Sequence, residues 1–490
     1  MVINRVERTR LEVLLIIIAR RLLPQRTRNY LNRKIGKKYA SIHRRIDRAK
    51  LEKEFHSRIS QVNPAEYIDI SCKPDLNVII IVVDSLRNSH LSCCGHFRET
   101  TPFLDSFKAR FTAISAANWT YPSVASILTG LYPHNHNAIV TTKRLEGSTR
   151  RKVIQAHKMK SNVLTLPEML FLLGYQVYFG TAISLAYDAI MGRVMPHRYD
   201  SATGADELLN DLMKWLSRQN GRFFAYIQLG DLHAPVKPPD TFKYYFARVK
   251  KLPNIEKWDF KKLEEQRSNS EKFLEYKENR ELLYDNTLRY VDSALERFYN
   301  SLEDRGLADS TILMVTADHG DEFWEHTELE GRCFHDPRGY SGTGHGHAVF
   351  NEVIEVPLLM SGPIPNKKSN HYVSTVDITP TVTALLGISP RMKFDGQNIF
   401  NAVGERPLLS EGSWWQDKKA LIIGKYKLIY SKDDKIEWLF DLENDPEEQQ
   451  PITDKEVTSV FVKKLFQILA EGEKRRIRQV AQSSSLLKTR

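Results

Sequence analysis

Three well-separated segments of the chain carry donors suited to one cation and one nucleophile. Asp84 ends the apolar run "NVIIIVVD", Thr120 opens "TYPSVASILTG", and Asp318-His319 close "TILMVTADHG". Two carboxylates, an imidazole and an alkoxide can together surround one divalent metal. Zinc tolerates that mixture, while manganese or calcium accept the oxygens. Each residue alone has a plainer explanation, since an Asp at a strand end can cap a helix and "DHG" makes a turn. Thr120 stands just before a Pro-Ser pair suited to a first helical turn, so it reads both as an N-cap and as a nucleophile. A hydroxyl at a helix N-terminus faces backbone N–H groups and the positive end of the dipole, which favours an anionic tetrahedral or trigonal-bipyramidal centre. Coordination to a metal lowers the pKa of such a hydroxyl.

The elements that must bring these residues together are legible as continuous apolar runs. "NVIIIVV" from Asn77, "FFAYIQL" (Phe223 to Leu229), "TILMVT" (Thr311 to Thr316) and the stretch Val356 to Met360 read as strands buried on both faces. Helical patterns lie over Ser123 to Leu131, Ala205 to Ser217, Glu281 to Arg305 and "VDITPTVTALLGI". The alternation predicts an α/β sandwich with a largely parallel sheet between helices. In such sheets ligands gather at the carboxyl ends of strands. Asp84, then Asp231 and His233, then Asp318 and His319 fall at those ends. Beyond about residue 405, "ALIIGKYKLIYS" and "EWLFDL" read as short strands before a charged helix from Lys455 to Arg478. The expected organisation is a partly helical basic arm over 1–74, a main domain over 75–404, a smaller α+β unit over 405–480, and a disordered tail over 481–490.

The charge is concentrated in the arm. Residues 1–60 hold 17 Lys/Arg against 5 Asp/Glu, a surplus of 12 that accounts for the whole net charge of +11. The apolar run Val13 to Ala19 is far shorter than the ~20 residues that span a bilayer. Arg20-Arg21 follow it where a secretory signal needs small residues. The expectation is a cytoplasmic protein whose arm is a basic helix, either simply solvated or drawn to an anionic membrane surface with Leu14, Ile17 and Ile18 dipping in. No interleaved aromatics or known module point to nucleic acid. Four cysteines at these spacings form neither a disulfide framework nor a zinc-site pattern.

Eight motifs in series, "NVIIIVVDSLRNSHLSCCGH", "TTPFLDSF", "TYPSVASILTGLYPHNHN", "DLHAPVKPP", "TADHGDEFWEH", "HGHAVFNEVIEVPLLMSGP", "STVDITPTVTALLGI" and "WLFDLENDPEE", cover about residues 75 to 450. Together they resemble the sulfatase family of the alkaline phosphatase superfamily. The resemblance implies an alkaline-phosphatase-like sandwich, with Asp84, Asp318 and His319 as metal ligands and Thr120 at the nucleophile position. It also implies that His233 and His345 touch the transferred oxyanion or protonate the leaving group, a role open to imidazole near neutral pH. His347, His326, His90 and Asp231 are alternatives, and a second metal held through Asp231, His233 and His345 is a further option. His90, His134 and His136 read as neutral structural histidines.

The chain departs from the family's sulfatases in three places. Their formylglycine arises from a Cys or Ser in a C/S-x-P-S/A-R pattern. Here Thr120 cannot become that aldehyde, so no formylglycine is expected, and Val124 stands where the Arg belongs. The usual Asp-Asp pair is Asp84-Ser85. These changes look more like the superfamily's phosphoryl-handling branches. The expectation is therefore a metal-dependent hydrolase or transferase acting on a small-molecule, glycan-linked or lipid-linked ester, with phospho-esters preferred. The alternatives are a sulfuric ester hydrolase working without formylglycine, and a non-catalytic scaffold on a membrane surface. Deleting residues 1–60 is expected to abolish salt-sensitive binding to anionic vesicles, measured by co-sedimentation, while sparing turnover of a soluble ester. Undiminished vesicle binding by the truncated chain rules the interfacial arm out.

Overall fold

The computed structural model describes residues 51–68, 75–144, 152–199, 203–267, 270–333, 340–402, 404–412 and 417–488. Met1–Gln61 and Val62–Arg490 form two compact units. In the first, residues 51–59 are helical, and residues 1–50 of the basic arm, with their expected membrane contact, lie outside the described residues. Among the described residues no helix is long and apolar enough to cross a membrane.

The strands of the second unit, in chain order, are β1 (Asn77–Val83), β2 (Ala109–Ile114), β3 (Val140–Arg144), β4 (Lys152–Ala156), β5 (Gln176–Thr181), β6 (Arg198–Tyr199), β7 (Phe223–Leu229) and β8 (Thr311–Thr316). They continue as β9 (Glu322–Phe323), β10 (Thr343–Gly344), β11 (Glu355–Ser361), β12 (Lys367–Ser374), β13 (Leu408–Gly412), β14 (Lys418–Ile423), β15 (Tyr426–Ser431) and β16 (Ile436–Asp441). Eight of them make the central sheet, in the order β12-β2-β11-β8-β1-β7-β5-β6. The three apolar runs with no exposed face, β1, β7 and β8, take adjacent central places, β1 pairing in parallel with both neighbours. That placement satisfies their β-branched and aromatic side chains on both faces of the sheet. Only β11 runs against the rest, antiparallel to β8 and β2, so the sheet is largely parallel as expected.

Among the helices that pack on the sheets are α1 (Thr120–Thr129), α2 (Ala205–Leu216), α3 (Glu271–Glu303), α4 (Ile378–Leu385) and α5 (Lys455–Lys488). Two run past their expected bounds. The Ser270 hydroxyl accepts from Phe273 N and starts α3 ten residues early, in a charged stretch without an obvious apolar period. The segment "QVAQSSSLLK", expected to be disordered, continues α5, for it holds no Gly or Pro to stop a helix.

Strands β13 to β16 form a four-stranded antiparallel meander. Its alternate residues serve two cores. Leu408, Ala420, Ile422, Ile429, Ile436 and Phe440 pack with Ile114, Phe350, Val353 and Ile354, whereas Leu409, Leu421, Leu428 and Leu439 pack with Ala116, Tyr132, Val376 and Leu465 of α5. A polar seam runs beneath the first core. Lys427 and Glu448, both fully buried, pair at 2.6 Å, and Glu448 also accepts from Asn351 N.

His326 stacks on Phe350 in that seam, donating from Nδ1 to Glu352 (2.5 Å) and from Nε2 to Glu447 O (2.8 Å). Two acceptors require both ring nitrogens to carry protons. Burial opposes the charge, but Glu352, with Glu322 and Glu448 behind it, outweighs burial and pushes His326 up to about 10. A histidine whose pKa rises on folding contributes stability that is complete below its unfolded pKa of ~6.5 and is lost as pH climbs through its folded one. Melting temperature is therefore expected to fall between about pH 6.5 and 10 by calorimetry, and His326→Gln to flatten part of that slope. An unchanged slope in the variant refutes the charged pair.

Candidate active site

The site is built at the carboxyl ends of β1, β7 and β8, held in register by the pairs Val82↔Gln228 and Val82↔Thr316. Asp84 N still donates to Leu229 O (2.9 Å), so its carboxyl group emerges where the ladder ends. Ser85 then takes a left-handed backbone (φ 63°), which costs a residue with a β-carbon ~1 kcal/mol and turns the chain sharply. Its hydroxyl donates to Asp84 Oδ1 (3.0 Å). Tyr284 of α3 pins this turn, accepting from Arg87 N and donating to Ser85 O (2.7 Å). On the other strand, Ser115 Oγ donates to the Asp318 carbonyl. A β-carbon on Gly320 would fall 2.1 Å from Glu352 O, so only glycine lets the turn after His319 approach the helical turn just before β11.

Thr120 is the first residue of α1, with Trp119 as the extended N-cap and no side-chain cap bond. The expectation that Thr120 caps its helix is therefore corrected, because its hydroxyl points elsewhere. Thr120 Oγ1 donates to Asp84 Oδ2 (3.2 Å) and lies 3.3 Å from His319 Nε2. His319 Nδ1 donates to Gly320 O (2.9 Å), which leaves Nε2 of the neutral ring as a lone pair. That lone pair sits 3.8 Å from Asp84 Oδ1 and 3.5 Å from Asp318 Oδ2. Asp84, Asp318 and His319 are fully buried.

Gln228 spans the two carboxylates, its amide donating to Asp84 Oδ2 (3.0 Å) and Asp318 Oδ2 (2.9 Å). Burial alone would raise Asp84, but His233, His319 and His345 pull it down to about 2. Asp318 is pushed well up, first by burial and then by the neighbouring Asp84 charge. One carboxylate of the pair resists ionisation while the other holds its charge. The chemistry of this donor set fits a divalent cation: two carboxylates, one imidazole lone pair and a hydroxyl converge, with few N–H or O–H groups to satisfy them. His319, Asp321 and His345 form a second group of the same kind beside it.

The histidines form a layer over this cluster. The His345 ring lies 4.0 Å from that of His319 and 5.3 Å from that of His233, centroid to centroid. Its Nδ1 donates to Asp321 Oδ1 (2.6 Å). Burial raises Asp321 to about 6 against the pull of His319, His233 and Arg280. The structure thus brings Asp84, Thr120, Asp318, His319, His233 and His345 together.

Two residues read as possible second-metal or substrate groups are placed otherwise. Asp231, raised by burial to about 6, accepts from Ala205 N at the start of α2 (3.2 Å). His347 Nε2 faces Glu322 (3.0 Å) and Glu330 (3.3 Å) in a separate buried cluster. His90, lowered by burial to about 4, donates to Asp285. His136 bonds Ser126 Oγ and Ala138 N. His134 departs from the neutral expectation, since Glu411 at 2.6 Å outweighs burial and raises its pKa. The residues missed were Gln228 and Asp321. The first was signalled by a lone amide within an otherwise apolar, fully buried strand.

The chain belongs to the sulfatase family, whose family model, described simply as Sulfatase, matches residues 76–388. It is similar to an extracellular sulfatase SULF-1 homolog of Drosophila melanogaster, 24% identical over 69% of this chain and 32% of that protein. Human N-acetylglucosamine-6-sulfatase is 26% identical over 66% of this chain and 63% of its own. The chain thus spans 32% and 63% of the length of these relatives. Among solved structures, the phosphonate monoester hydrolase of Agrobacterium radiobacter superposes with a TM-score of 0.61 at 16% identity, covering 81% of this chain and 96% of that one, which establishes the shared fold.

Asp318→Ala is expected to lose bound divalent metal, measured by elemental analysis of the purified protein. Chelation should lower the melting temperature of the native chain, because an emptied carboxylate pair repels itself, and leave that of Asp318→Ala unmoved. Full metal content in the variant refutes the ligand assignment.

Proposed function

We propose that the chain is a metal-dependent ester hydrolase or transferase that uses Thr120 as nucleophile and prefers phospho-esters to sulfate esters. The observation that carries this reading is the hydroxyl of Thr120, a residue 2% exposed, hydrogen-bonded to Asp84 and within 3.3 Å of His319 Nε2 rather than capping its helix. Asp84, Asp318, His319 and Thr120 would hold the cation, with zinc, manganese or calcium as candidates. When bound it supplies Lewis-acid charge that favours the Thr120 alkoxide and the substrate oxyanion.

Thr120 gives up its proton along the bond to Asp84 and attacks phosphorus, while the bond to the leaving oxygen breaks. His345, with His233 beside it, protonates that oxygen, so an alcohol departs and a phosphothreonine remains. Water, or an acceptor hydroxyl, then attacks the phosphothreonine, surrenders its proton to the imidazole and regenerates Thr120. The uncapped N-terminus of α1 orients its dipole toward the charge that builds up. A plain hydroxyl needs no modifying step, and Ser85 in place of a second carboxylate lowers the negative charge facing an anionic substrate. Both support the phosphoryl reading over a sulfuric ester hydrolase lacking formylglycine. The amino-sugar sulfate in the name of human N-acetylglucosamine-6-sulfatase supports a small-molecule or glycan-linked ester.

Thr120→Val keeps the shape and, with no cap to lose, is expected to keep its melting temperature within a few degrees. Its turnover of an aryl phosphodiester should fall ~10³-fold or more, whereas Thr120→Ser retains measurable rate. Acid quenching of the native enzyme with that substrate should trap the phosphoryl group, still carrying its second ester substituent, on Thr120 by mass spectrometry. An active Thr120→Val sinks the nucleophile, and faster turnover of aryl sulfates than of phosphodiesters sinks the substrate preference.

A further inference from the structure

The short ladder of β9 and β10 pairs Phe323 with Thr343 and Glu322 with Gly344. Antiparallel register continued by one residue sets Asp321 opposite His345, and there the 2.6 Å bond between them forms. The ladder is anchored on both sides. Gly320 N donates to Val353 O (2.8 Å) just before it, and a β-carbon on Gly344 would lie 3.2 Å from the Trp258 ring nitrogen. Asp321 is fully buried, and its second oxygen, Oδ2, accepts no hydrogen bond among the described residues.

Beside it is a second anomaly. Arg280 of α3 is fully buried, and none of its three guanidinium nitrogens is hydrogen-bonded among the described residues. The group is held instead on aromatic faces, 4.4 Å above Trp258 and 5.7 Å from Phe323. A buried cation without donors in use is costly unless a negative charge lies nearby, and Asp321 is the carboxylate that acts on it most strongly.

We propose that Asp321, backed by the charge of Arg280, is a positioning residue that holds His345 in the tautomer and orientation in which Nε2 exchanges a proton with the departing oxygen. The proposal rests on the reading of His345 as the group that protonates the leaving group. The bond from Nδ1–H to Asp321 commits one nitrogen and fixes the ring plane, and the backbone ladder makes that bond a consequence of register.

The test compares two phosphodiesters that differ in the leaving group, one p-nitrophenyl and one alkyl, at a fixed concentration of the activating metal. p-Nitrophenolate departs without a proton, whereas an alkoxide needs one. His345→Ala should therefore lower kcat/KM, which reports only the steps through departure of the leaving group, on the alkyl ester ~10²-fold or more and that on the p-nitrophenyl ester far less. Asp321→Ala should reproduce that split. Asp321→Asn, which keeps the shape and an oxygen to accept from Nδ1–H, should show a smaller one, and it carries the test should the alanine variant fold poorly. Added to His345→Ala, either change should cost nothing further on the alkyl ester. Equal losses on the two esters, or additive losses in the double variant, overturn the positioning role. If His345→Ala itself shows no split, the reading of His345 fails, and this proposal with it.

Discussion

A crowd of lone pairs in a dry place governs the rest of this structure. Asp84, Asp318 and His319 are fully buried, and two carboxylates and an imidazole brought that close repel one another and lose their hydration. Every neighbouring element answers that cost. The Gln228 amide bridges both carboxylates, Ser85 donates to one, the first turn of α1 arrives uncapped, and two further histidines lie over the cluster. None of these partners could be supplied by one segment, so the cluster exists only after β1, β7 and β8 have paired.

The sequence carried much of this arrangement. Continuous apolar runs marked the three central strands, because a strand covered on both faces cannot alternate. The carboxylates at their ends then fell on one sheet edge by topology alone. Direction was harder to read: nothing in "EVPLLMS" distinguishes an antiparallel strand from a parallel one, and β11 is the exception. Helix starts were read late where capping and charge, rather than an apolar stripe, set them, as at Ser270.

Within the site, residues that announce themselves by type were legible, and those that act through geometry were not. Asp84, Thr120, Asp318 and His319 stood out as donors at strand and helix ends. Gln228 looked like a break in a hydrophobic run, and Asp321 like one more acid in "DHGDEF". Conversely, Asp231 and His347 had the right types near the right motifs, but α2 and a buried Glu cluster claim them. Chemistry that depends on which way a side chain turns waits on tertiary packing, as the uncapped Thr120 shows.

The meander of β13 to β16 places apolar residues on both of its faces. A surface appendage of that kind would normally keep one face for water. Here the meander is instead a middle layer, completing one core with Phe350 and another with Leu465 of α5. Modularity is thereby lost. Neither the larger sheet nor the smaller one has a finished surface of its own, and recombination at the intervening loop would yield two sticky halves rather than two domains. Helix α1 shares in this. Its C-terminal turn leads directly to Tyr132, whose ring belongs to the second core. The large sheet that carries the buried donors and the small meander are, in folding terms, one object.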